Sequence, residues 1–241
     1  MDTMVKTLCI IQARLTSTRL PKKVMMPLGN SGKSILEHAY ERLSMAKHID
    51  KVVFAIPDSS MNDELAEFME SRGIEYYRGS EDDVLDRFYQ CAINYNPEIV
   101  VRATCDNPFV DYNIADDLLE HLEENDYVFC KNVPLGTGVE VFKMGALVKS
   151  YKEASTKPEH EHVTPYIYTH PEQFTIFGRD FGLPSYRLTV DEERDYDLAN
   201  RIYDALYKGD PIPNAEIYAF LEDHPELLAI NTEVHQKKFN E

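Results

Sequence analysis

Apolar runs and amphipathic stretches alternate along the first half of the chain. Lys6–Ala13 (KTLCIIQA), Lys51–Ile56 (KVVFAI) and Glu98–Ala103 (EIVVRA) are almost continuously apolar, the pattern of strands buried on both faces. Glu75–Arg78 and Tyr127–Cys130 read as shorter strands. Between the strands the period changes to that of helices. Ser34 and Glu37 spell a capping box, and the helix they open sets Ile35, Leu36, Ala39, Tyr40 and Leu43 on one face. Asn62–Arg72 is helical and stops at Gly73. Ser80 reads as the cap of the next helix, with Glu81, Asp82 and Asp83 complementing its dipole. Asn113–Glu124 is another. Strand–helix alternation of this kind predicts right-handed βαβ units: an α/β chain, three-layer and Rossmann-like, with a mainly parallel sheet. The second half is less regular. Val139–Phe142 and Phe174–Phe177 read as strands, with Arg187–Val190 a further candidate. Asp195–Tyr207 and Asn214–His224 read as helices. No repeat or linker-like break divides the chain, so residues 1–241 are taken as one domain with an inserted subregion at about 131–186.

Charge changes this picture. The chain of 241 residues has a formal net charge of −17, yet the stretch between Thr3 and Leu36 holds Lys6, Arg14, Arg19, Lys22, Lys23 and Lys33 and no carboxylate. A pI near 4.9 argues against general nucleic-acid binding. A local cationic loop in an acidic protein instead suits a compact anion such as a polyphosphate. No segment approaches the roughly 20 apolar residues of a membrane span. The opening MDTMVKTLCIIQARL leads from a short apolar run into arginines rather than a cleavage site, so no secretory signal is expected. Cys9, Cys91, Cys105 and Cys130 are scattered, as reduced cytoplasmic thiols are.

Ligands of parallel sheets sit beyond the carboxyl ends of strands. The loop opening at Arg14 lies there, and so does Thr104-Cys-Asp106. A loop leaving a strand can wrap a triphosphate with backbone N–H groups while Arg14, Arg19 and Lys23 neutralise it. Gly32-Lys33-Ser34 imitates the end of a P-loop, but the full pattern needs glycine at position 27, which is Pro27. Ser34 is therefore kept as a helix cap.

Gln12-Ala-Arg14 followed by Ser17-Thr-Arg19-Leu-Pro-Lys-Lys23 resembles the signature loop of the cytidylyltransferases that activate sugar acids, most of all the branch of the spore coat polysaccharide biosynthesis protein F. CMP-Kdo and CMP-sialic acid synthetases are more distant relatives. Arg78–Arg87, Arg102–Pro108, Gly138–Phe142, Glu161–Thr164 and Leu188–Asp191 resemble later motifs in order. The resemblance implies a nucleotidyltransferase fold and a transfer of CMP from CTP to a sugar acid or small phosphorylated acceptor, with pyrophosphate leaving. It implies that Arg14 and Lys23 act in catalysis and, with Gln12, Ala13, Arg19, Ser80, Asp83, Arg87 and Thr104, hold the nucleotide. Asp106 and Asp191 would be the carboxylates for Mg²⁺, which takes one or two carboxylates plus phosphate oxygens. A turn or cap role is the alternative for each. Cys105 stands where relatives tend to carry glycine. Glu140, Glu161 and His162 are candidates for the acceptor pocket, although Glu159-His-Glu-His162 taken alone reads as a surface turn leading into a helix. A homodimer, a cytoplasmic location and a role in polysaccharide synthesis come with the same resemblance. Two other readings remain open here. A metal-dependent nucleotide-sugar glycosyltransferase would use Asp195-Tyr-Asp197 as its D-x-D. A non-catalytic nucleotide-binding regulator would keep the fold alone.

Overall fold

The computed structural model describes residues 5–236. Its strands are β1 (Thr7–Gln12), β2 (Lys51–Pro57), β3 (Tyr76–Gly79), β4 (Ile99–Thr104), β5 (Tyr127–Lys131), β6 (Glu140–Lys143) and β7 (Ile176–Asp180). Its helices are α1 (Ile35–Leu43), α2 (Asp63–Glu70), α3 (Val84–Tyr95), α4 (Tyr112–Glu120), α5 (Met144–Glu153), α6 (Lys157–His162), α7 (Pro165–Thr169), α8 (Glu193–Leu206), α9 (Asn214–Asp223) and α10 (Pro225–Leu228). All seven strands form one sheet of order β3-β2-β1-β4-β6-β5-β7. β6 runs antiparallel to β4 and β5, and the other pairs are parallel.

Alternation along each strand sorts the core into layers. Cys9 and Ile11 of β1, with Val101 and Ala103 of β4, face a cluster that includes Leu43 of α1, Leu65 of α2 and Leu118 of α4. Leu8, Ile10 and Val100 face the opposite cluster, built with Leu85 and Phe88 of α3, Leu147 of α5 and Ile167 of α7. On this second face the apolar rows end in polar residues. Arg102 and Thr104 follow Val100, Gln12 follows Ile10, and Glu140 lies opposite Arg102. A third cluster joins α8 and α9 to Leu20, Leu28, Ile35 and Phe109. Arg42, fully buried, ties this part to the sheet layers: its guanidinium donates to the carbonyls of Val110 and Ile212, each at 2.6 Å, and to Asn214 Oδ1.

Local structure differs from the sequence expectation in several places; the strand read at Phe174–Phe177 is Ile176–Asp180, for example. Ser80 is not the helix cap. Asp83 is, with its side chain accepting from the Asp86 N–H at 2.8 Å, while Ser80 Oγ accepts from the Asp83 N–H. Arg187–Val190 makes one bridge, Leu135 with Arg187, rather than a strand, because it passes beside a loop instead of a sheet edge. Glu159-His-Glu-His162 is helical, within α6, and not a surface turn ahead of one. The Glu159 carboxylate accepts from the Ser155 and Thr156 N–H groups, each at 2.8 Å, and anchors the start of that helix. The capping box of α1 is present as read, with Ser34 accepting from Glu37 N–H and Glu37 from Ser34 N–H. That leaves Gly32-Lys33-Ser34 as a helix start.

Candidate active site

β1 and β4 lie side by side with Gln12 level with Thr104, so the loops leaving them begin at one place. Thr104 Oγ1 donates to Asp106 Oδ1 at 2.5 Å and accepts from Asn107 Nδ2 at 2.8 Å, fixing the carboxylate just past the strand end. Asp191 reaches the same place from far along the chain. The Leu135 N–H donates to the Tyr186 carbonyl, the Leu188 N–H to the Leu135 carbonyl, and the Val190 N–H to the Asp106 carbonyl. Gly136 makes this close approach possible. Its φ is +96°, and a Cβ there would fall 2.5 Å from the Thr189 nitrogen.

Lys23 sits between the two acids and is buried. Its Nζ donates to the Val190 carbonyl at 2.7 Å, Asp191 Oδ1 at 2.9 Å and Asp106 Oδ2 at 3.2 Å. An ammonium has three donors, and protein oxygens take all three. Burial disfavours its charge, but Asp106 and Asp191 outweigh that and raise the Lys23 pKa. Burial also works against Asp191. Lys23, Arg19 and Arg187 overcome it and hold the carboxyl below its ordinary value. Arg19 Nη2 lies 3.1 Å from Asp191 Oδ1, and Arg187 Nη2 lies 3.1 Å from Oδ2.

Arg14 is exposed at the start of the loop. Arg87 is buried; it donates to the Ser80 carbonyl at 2.5 Å, and its Nε has no protein partner. Burial and the positive charge of Arg14 push the Arg87 guanidinium down to about 10. Two cations that disfavour each other in this way favour an anion placed near both. Gln12 Oε1 is buried nearby without a partner as well, and the adjoining Ala13 is buried.

Glu140 accepts from the Arg102 guanidinium, the Tyr127 hydroxyl and Thr164 Oγ1. Arg102 Nε is buried without a partner. Burial lowers the His162 pKa, with Arg102 and Arg14 acting in the same direction against Glu161 and Glu140. Glu161 itself is exposed. Val163 links His162 to Thr164 in a γ-turn, with φ 71° and ψ −55° and the Thr164 N–H on the His162 carbonyl at 2.9 Å. A β-branched residue at positive φ is strained, and this one is buried between the two polar side chains it separates.

The cytidylyltransferase family matches residues 8–231. The chain belongs to the cytidylyltransferase family. The spore coat polysaccharide biosynthesis protein SpsF of Bacillus subtilis is 35% identical over 91% of this chain and 95% of its own. An uncharacterised protein of Methanocaldococcus jannaschii is 38% identical over 98% of each chain. A cytidylyltransferase from Leptospira borgpetersenii superposes with a TM-score of 0.87 at 26% identity, covering 96% of this chain and 100% of that one. A CMP-2-keto-3-deoxy-manno-octonic acid synthetase complexed with CTP shares the fold, with a TM-score of 0.66 at 15% identity over 83% of this chain and 99% of its own.

In this cytidylyltransferase-family chain the sequence-predicted residues gather in two groups. Arg19, Lys23, Thr104, Asp106 and Asp191 form one, joined by the contacts above. The second is looser: Arg87 donates to the Ser80 carbonyl beside Asp83, Glu140 meets Arg102 and Thr164, and the charge of Arg14 is felt at both Arg87 and His162. Several contributors were not singled out from sequence. His160 Nδ1 lies 2.7 Å from Asp83 Oδ2, a contact across 77 positions with no local signal. Arg102 had one: it is the charged residue inside an apolar strand. Arg187 Nε pairs with Asp195 Oδ1 at 2.8 Å, and Asp195 Oδ2 accepts from the Asp191 and Glu192 N–H groups. Asp195 is thus a buried structural acid whose oxygens are taken up, and Asp197 pairs with Arg201 at 3.0 Å. The D-x-D spelling has no open carboxylate pair here.

The donor set suits a hard divalent cation. Asp106 keeps a side chain 29% exposed and has acceptor capacity beyond its bonds to Thr104 and Lys23. Among the described residues no three His, Cys, Asp or Glu side chains converge, so further ligands would come from phosphate oxygens or water. Cys105 is buried and its thiol is pushed up, first by burial and then by Asp106, the opposite of what activates a thiolate.

Proposed function

We propose that the protein transfers CMP from CTP to a small anionic acceptor, a sugar acid or phosphorylated molecule, releasing pyrophosphate for polysaccharide synthesis. The observation that carries this is the meeting of Lys23, Asp106 and Asp191 at the ends of β1 and β4, beside a cationic loop. Arg14 and Arg87 would hold phosphate oxygens, since each lowers the free energy of an anion placed between them. Gln12, Ala13, Ser80, Asp83 and Thr104 would line the nucleotide. Arg19 and Lys23 would balance the charge that develops as pyrophosphate leaves, and preorganised charge of this kind is a large part of catalysis of phosphoryl and nucleotidyl transfer. Asp106 and Asp191 would hold Mg²⁺, which when bound neutralises the polyphosphate. Glu140, Glu161 and His162 would face the acceptor. The reading carries a homodimer and a cytoplasmic location by family likeness. No described helix is long and apolar enough to cross a membrane.

Pyrophosphate release with CTP, Mg²⁺ and a panel of sugar acids and phosphomonoesters tests this. Turnover is expected with CTP, and Asp106→Ala should lower it about 10²-fold or more. Release of a nucleoside diphosphate from a nucleotide sugar, or CTP binding without turnover on any acceptor, would refute it.

A further inference from the structure

Lys23 is placed as a metal ion between two carboxylates would be placed. Its nitrogen lies 2.9 Å from Asp191 and 3.2 Å from Asp106, and its third donor is on the Val190 carbonyl. No donor is left for a phosphate unless one of these bonds breaks. Arg19 and Arg187 add two more positive charges on Asp191. A divalent cation approaching this pair alone meets a buried ammonium, and displacing it from both carboxylates leaves it, of its present acceptors, only the Val190 carbonyl. A buried ammonium stripped of its carboxylate partners is strongly unfavourable. An incoming polyphosphate supplies the missing acceptor.

We propose that Lys23 is a built-in counterion that occupies the Asp106–Asp191 pair in the nucleotide-free protein and keeps divalent cations off it. Metal then reaches these carboxylates together with the polyphosphate that draws the ammonium away. The inference rests on the reading of Asp106 and Asp191 as the metal carboxylates. It also gives Lys23 a reason to be buried, which a surface phosphate contact would not.

Mn²⁺ binding to the nucleotide-free full-length chain, followed by electron paramagnetic resonance, tests it without turnover. Lys23→Met and Lys23→Gln should each bind Mn²⁺ about tenfold or more tightly than the unsubstituted protein, within the usual range of coupling between sites. Adding Asp106→Asn to either should abolish the gain. The rise in thermal midpoint with Mn²⁺ should likewise be larger in the Lys23 variants, a reading that holds even where they fold less stably. Equal Mn²⁺ affinity with and without Lys23 would overturn the proposal, and so would a gain that survives Asp106→Asn. The pyrophosphate assay is read separately, so a failed transfer reaction and a failed counterion exchange give different results.

Discussion

Asp191 shows how much of the site depends on single charges. Three cations surround it, and its side chain is 9% exposed. Its pKa in the folded chain lies below the unfolded value. The stability it contributes is therefore complete above the ordinary carboxylate range and is lost as pH falls through the depressed value. Lys23 behaves in the opposite sense: its raised pKa makes its contribution complete below the ordinary lysine value, and the loss comes only in strong alkali. The thermal midpoint should accordingly fall as pH drops below about 4. Asp191→Asn should weaken that acid-side fall and cost about 3 kcal/mol at neutral pH, because the buried Lys23 and the half-buried Arg187 lose a charged partner. Denaturation profiles from pH 3 to 8 (~5 pH units) compare the two proteins; identical profiles would contradict this account of Asp191.

At the scale of elements, the start of α3 carries two tasks. Asp83 caps the helix and also meets His160 of α6, while Arg87, one turn in, donates back to the Ser80 carbonyl. Asp83→Ala should cost about 1 kcal/mol in urea denaturation from the lost cap. Asp83→Asn, which still caps, should cost clearly less. Should the two cost the same, the His160 contact and not the cap would be the dominant interaction. The α6–α7 junction is the other element with a local constraint. The γ-turn at Val163 directs His162 and Thr164 to the Glu140 side, and backbone strain of this kind is kept where surrounding packing determines it.

At the scale of the molecule, Arg42 joins the sheet layers to the cluster around α8 and α9. Its three bonds reach Val110, Ile212 and Asn214, and it is fully buried. Arg42→Met should lower stability by about 3 kcal/mol or more, since two carbonyls lose their donor and no water reaches them. Its CTP affinity, measured on the folded fraction, should stay close to that of the unsubstituted protein because Arg42 touches none of the site residues. A large loss of CTP binding with unchanged stability would reverse that assignment. The first half of the fold was legible in the apolar runs of β1, β2 and β4, because strands buried on both faces must be apolar throughout. The cationic loop was legible too, since a carboxylate-free stretch in so acidic a chain needs a reason. The cap of α3 was misread at Ser80 because Ser80 and Asp83 both have capping side chains and only backbone geometry separates them. Helices α5 and α6 were missed, although Thr156-Lys-Pro-Glu159 spells a helix start. What the sequence determined by itself was the α/β order of the first half and the carboxylate-free cationic loop that follows β1. Only the tertiary structure decided that Asp191, carried past Gly136 and bonded through Val190 to Asp106, would share the Lys23 ammonium with it. Pairings across so many positions are set by loop geometry and packing, and no local pattern of residues records them.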